Sequence, residues 1–185
     1  MVELMSKKYK PFIEKLFERS GVPTVFQSAT GFGDASVPHS VFPFGDNCFI
    51  DPEDDIYTTW GGEEIAQALR AQVLIFMMGG DQFLYGLWSH DGRPLLDSPV
   101  VYLDDEGSGN QVIAQDLNEF LALACWGFDR LNEVTVSEDL DDGFEAEEEE
   151  FFVKRKIKPL ANPLSNMAAA RAAHPDFDAW LDSLR

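Results

Sequence analysis

Between Val73 and Gln115 four short apolar runs follow one another, each cut from the next by turn-forming residues. They are "VLIFMM" (Val73 to Met78), "QFLYGLW" (Gln82 to Trp88), "PVVYLD" (Pro99 to Asp104) and "QVIAQ" (Gln111 to Gln115). The separators "GGD", "HDGRP" and "DEGSGN" hold Gly, Pro, Asp and Asn, whose backbones and side chains suit tight turns. Runs of this length and aromatic or β-branched content predict strands. None approaches the ~20 apolar residues that span a bilayer, so no membrane association is expected.

Helices are expected on both sides of this block. "GGEEIAQALRAQ" (Gly61 to Gln72) carries acids in its first turn, where the helix dipole favours them. In "DLNEFLALACWG", Asp116 is placed to accept first-turn N–H groups and Glu119 follows three residues on, as in a capping box. Leu117, Phe120, Leu121 and Ala124 make its apolar stripe, and Gly127 is placed as a stop. An N-terminal helix is predicted from Tyr9, Phe12, Ile13 and Leu16, with Pro11 in its first turn. Two more are predicted at "MAAARAAH" (Met167 to His174) and "PDFDAWLDSL" (Pro175 to Leu184). Residues 22–51, rich in Gly, Pro, Ser and Phe, read as loops with short strands.

Charge bounds the partner. The chain has 33 acids against 14 bases, a net of −19. Residues 138–158 account for only −5 of it, with nine acids and four bases, so the rest carries −14 and the acidity is general. A field of that sign repels phosphate backbones and anionic membranes and attracts basic proteins. Nucleic acid is therefore not an expected ligand. A hydrophobic share of 45% is enough for a core, and 185 residues suit one domain. The N-terminal "MVELMSKKYK" leads into no apolar stretch, so no secretory signal is predicted and the chain is expected in the cytoplasm. Cys48 and Cys125 fit no metal or disulfide motif and are expected to be buried free thiols.

Local motifs of catalysis are absent. His39, His90 and His174 are scattered and form no HExxH pattern. There is no nucleophile elbow and no P-loop, and "GFG" (Gly31 to Gly33) lacks the third glycine of a dinucleotide fingerprint. An EF-hand loop aligned with Gly109 at its sixth position meets Asp104, Glu106 and Ser108, but Gln115 stands where the bidentate glutamate is required. Aligned on Gly143, it meets Leu140 at the third position. No catalytic, cofactor or metal residues are expected from these spacings.

The stretch Tyr85 to Gly127, 43 of the 185 residues, resembles the SUKH superfamily, the Smi/Knr-like group. The resemblance rests on an ordered set of pieces. These are Leu87-Trp88, Asp91-Gly92, Pro99-Val100-Val101, Glu106-Gly107, Val112-Ile113-Ala114 and Phe120-Leu121-Ala122-Leu123. It does not extend to the segment from Asn132 onward. What it implies is a single α+β domain with a mixed or antiparallel β-sheet flanked by helices. The core is expected over residues 1–131, an acidic then basic loop or linker over 132–158, and a C-terminal helical segment over 159–185. Many bacterial members are implied to be immunity proteins, which neutralise a toxin, often a nuclease, by binding without catalysis. Others are regulatory or scaffolding modules without a toxin partner. On the first reading Asp104 and Asp105, and the run Glu147, Glu148, Glu149 and Glu150, are the candidate contacts with a basic toxin domain. The competing readings are a plain turn at Asp104 and Asp105, and a solvated loop neutralised by Lys154, Arg155, Lys156 and Lys158.

Overall fold

All four apolar runs form strands, and every residue of those strands is buried. Val73–Met78 (β3), Leu84–Trp88 (β4), Val100–Leu103 (β5) and Gln111–Ala114 (β6) pair in sequence order, each antiparallel to the next. On the other side of β3 lies Cys48–Ile50 (β2), antiparallel to it, and beyond that Phe26–Gln27 (β1), parallel to β2. The sheet is therefore mixed and six-stranded, in the order β1 to β6. The computed structural model describes residues 62–79, 83–104, 109–124 and 160–184, shorter pieces at 26–27, 48–50, 153–154 and 156–158, and the single positions 11, 15 and 57.

Burial without polar alternation means that helices cover both faces. Successive strand residues point to opposite faces, and they sort into two clusters. Leu74, Phe76, Tyr85, Leu87, Val100 and Tyr102 meet the helix Leu117–Ala124 (α2), where Phe120 packs edge-on to Phe76 at 5.4 Å between ring centroids. Val73, Ile75, Leu84, Trp88, Val101 and Leu103 meet the opposite layer. That layer holds Leu69 from Gly62–Gln72 (α1), and Phe177 and Leu181 from the last helix, Asp176–Asp182 (α4). The result is an α+β arrangement, as the resemblance implied.

Two bulges adjust the alternation. The β3–β4 register shifts between Ile75 and Met77, so Phe76 and Met77 enter the same cluster. The β5–β6 register shifts at Val100 and Val101, and Ile113 and Ala114 likewise share that cluster.

The helix Pro163–Ala173 (α3) lies against β6, the last strand of the sheet. Met167 enters the α2-side cluster and Ala170 the other, so this helix bridges both cores along the strand edge. Covering an edge in this way removes a template for pairing with another chain. The helix begins where Asn162 Oδ1 accepts the Ser165 N–H at 3.0 Å and Pro163 supplies a preset φ. Asn166 Nδ2 ties it to α2 by donating to Glu119 Oε1 at 2.9 Å. Glu119 also closes the predicted capping box. Its N–H donates to Asp116 Oδ1 at 2.9 Å, and its Oε2 accepts from Gln115 N, one residue before the cap.

The C-terminal segment is thus part of the sheet's packing rather than an extension from it. Of the predicted N-terminal helix only Pro11 and Lys15 are described, both helical. Cys125, Gly127, Gly31 to Gly33 and most of 132–158 lie outside the described residues. Among the described residues no helix is long and apolar enough to cross a membrane.

Candidate functional site

The sequence placed its candidate contacts at the end of β5. Asp104 is half-buried, and its carboxylate turns inward: Oδ2 accepts the Gly109 N–H at 3.0 Å. Its own N–H donates to Asn110 Oδ1 at 2.8 Å. The two bonds close the chain reversal between β5 and β6, and a Cβ at Gly109 would stand 3.1 Å from Asp104 Oδ2. Asp104 therefore serves the turn. Asp105, Glu147, Glu148, Glu149 and Glu150 lie outside the described residues.

A different constellation forms on the opposite end of the sheet. Trp88 ends β4, and its N–H donates to Pro99 O at 2.9 Å while Ser89 N–H donates to Gln72 O at 2.7 Å. These bonds fix the chain as it leaves the strand. His90 then folds back so that its ring stacks flat on the Trp88 indole, with centroids 3.7 Å apart and planes 9° off parallel. The turn that follows is held by Arg93, whose Nε lies 2.8 Å from each Asp91 oxygen and whose Nη2 pairs with Asp91 Oδ2. Gly92 sits at φ +77°, a left-handed conformation that explains glycine there. The Arg93 guanidinium holds the Asp91 carboxyl well below the usual carboxylate range, and Asp91 in turn raises Arg93.

The corner between the last two helices meets this turn. His174 caps the C-terminus of α3, Pro175 redirects the chain, and Asp176 opens α4. His174 is buried, with its ring 5.6 Å from that of His90. The Asp176 carboxylate lies 3.4 Å from His90 Nε2. Burial lowers the His174 imidazole below its ordinary value; Arg93 and His90 push the same way, against Asp176 and Asp91. The net direction disfavours the protonated imidazole. Phe177 and Trp180 of α4 close the aromatic packing, 4.9 Å and 5.2 Å from Trp88 between centroids.

Among the described residues, the buried side-chain nitrogens without a hydrogen-bond partner are Trp88 Nε1, His90 Nδ1 and Trp180 Nε1. All three belong to this corner. Leaving such a group unsatisfied costs about 1–3 kcal/mol. Beside the corner an open cleft of about 310 Å³ runs between β6 and the α3–α4 junction, lined among others by Gln111, Arg171, His174 and Asp178.

The sequence did not bring these residues together. His90 and His174 belong to separate elements distant along the chain, and spacing reveals ligand sets only when they share a helix or a loop. The one local hint was Trp88-x-His90, an aromatic at a strand end followed by a titratable group. Comparison with family models, with curated proteins and with solved structures finds no match.

Proposed function

We propose that the chain is a non-enzymatic, cytoplasmic protein-binding domain of bacterial type that neutralises a basic toxin domain by covering its working surface. The observation that carries this reading is the net charge of −19. Nuclease toxins present cationic surfaces to phosphates, and an acidic cover competes for the same surface while its field speeds encounter. The family resemblance supports the same reading. The pieces that carry it lie on β4, the Asp91-Gly92 turn, β5, β6 and α2, with Glu106-Gly107 outside the described residues. The proposed contacts are Asp104, whose Oδ2 also holds its turn, Asp105 and the run Glu147 to Glu150.

Mass spectrometry of what the tagged protein retains from its native host, washed at low and at high salt, tests the proposal. A single basic protein at near-stoichiometric amount, released by high salt, is the expected result. Co-expression should then rescue cells from that protein. Several substoichiometric partners and no rescue would replace this reading with a scaffolding role.

A further inference from the structure

The geometry points to His90, His174 and Asp176 as a binding site for one divalent transition-metal ion of the zinc class, a site independent of the toxin-binding reading. One ligand atom from each residue lies within 4.8 Å of the other two. Zinc takes nitrogen and carboxylate ligands at ~2.0–2.1 Å in tetrahedral geometry, which places neighbouring ligand atoms about 3.4 Å apart. His90 Nε2 and Asp176 Oδ2 stand 3.4 Å apart. A direct charge-assisted hydrogen bond would draw them to ~2.7–2.9 Å. The 3.4 Å separation matches the edge of such a tetrahedron.

Asp176 has 60% of its side chain exposed, so its carboxylate reorients without disturbing the core. The two imidazoles are held in place: His90 by its stack on Trp88, His174 by burial at the end of α3. Arg93, the nearby cation, is neutralised by its bidentate pair with Asp91.

The donor set chooses the ion. Two imidazoles and a carboxylate suit zinc and its neighbours, whereas calcium and magnesium prefer shells of oxygen. Three protein ligands leave at least one position for water. Bound there, the ion joins the turn after β4 to the α3–α4 junction and clamps the last two helices to the sheet.

The test uses the tag-free full chain stripped with a chelator, then titrated with Zn²⁺ against a chromophoric competitor. One equivalent is expected to bind with a Kd in the micromolar range or tighter, and Mg²⁺ is not expected to displace it. Asp176→Asn, at an exposed position, should weaken binding at least tenfold with the fold intact, and His90→Gln should do the same. Zn²⁺ at a hundredfold excess over Kd should raise the wild-type Tm by about 5 °C and leave the Asp176→Asn Tm unchanged. Equal Zn²⁺ affinity in wild type and both variants would assign the binding to the acidic surface and overturn the site. So would a wild-type chain that binds no Zn²⁺ in competition.

Discussion

Gly86 shows how closely one position can be specified. It sits in the middle of β4 opposite Ile75, and an added Cβ would stand 2.5 Å from Val73 Cγ1 and 3.2 Å from Leu74 O. The side chain of Val73 occupies the space that any other residue would need. Gly86→Ala is expected to destabilise by about 1–3 kcal/mol, the usual effect of overpacking a filled core, read as a lower denaturant midpoint. A midpoint equal to wild type would mean that Val73 changes rotamer at no cost. His174 carries a prediction about pH. Its folded-state value lies below the unfolded value of about 6.5, so the unfolded chain takes up a proton that the buried imidazole resists. Stability of the metal-free protein should be fully present above that value and fall as the pH is lowered through the slightly acidic range. His174→Asn should flatten that part of the profile, as denaturant melts from pH 7.5 downward would show.

At the scale of elements, the helix α3 decides whether the β6 edge of the sheet is open. Met167 is 1% exposed and Ala170 is fully buried, in clusters on opposite faces of the sheet. Met167→Ala is expected to cost about 2–5 kcal/mol, as for other buried methionines. Removal of residues 160–185 should do more than destabilise. It strips β6 of its cover and opens both clusters together, so the truncated chain is expected to sediment with aggregates in analytical ultracentrifugation. A monomeric, folded truncation would show that β6 needs no cover. The strands, by contrast, stand on local information. Each is a run of buried apolar residues closed by Gly, Pro or Asp, and each was legible before any pairing was known. The capping box at Asp116 and Glu119 was legible for the same reason, because both partners lie within one turn. The pairing of β2 with β3, the bulge at Phe76 and the docking of α3 on β6 were not. Each depends on which surfaces meet in three dimensions, and no local period encodes that. The His90–His174–Asp176 corner failed to show for the same reason. Asp104 is an intermediate case: its turn position was legible, but the inward bonds to Gly109 and Asn110 depend on how β5 and β6 pair.

For the whole molecule, the net charge of −19 acts on folding and on binding with opposite signs. Like charges on one compact body repel, which favours the expanded chain, and salt relieves this as the Debye length falls from ~30 Å at 0.01 M to ~8 Å at 0.15 M. The isolated protein should therefore melt several degrees higher at physiological ionic strength than at 0.01 M. Binding to a basic partner gains from the same unscreened field and should weaken over the same range, with most of the loss in the association rate. Scanning calorimetry and stopped-flow association across one salt series separate the two effects. Charge reversal at Asp105 together with Glu147 to Glu150 sharpens the test, since these acids are among the proposed contacts. The reversed chain should gain stability at low salt, because its net charge is smaller, and should associate with the basic partner at least tenfold more slowly. Unchanged association alongside raised stability would keep the charge argument for folding and remove these acids from the binding surface. The recognition face would then have to be sought elsewhere, first among the exposed acids Asp178 and Asp182 of α4.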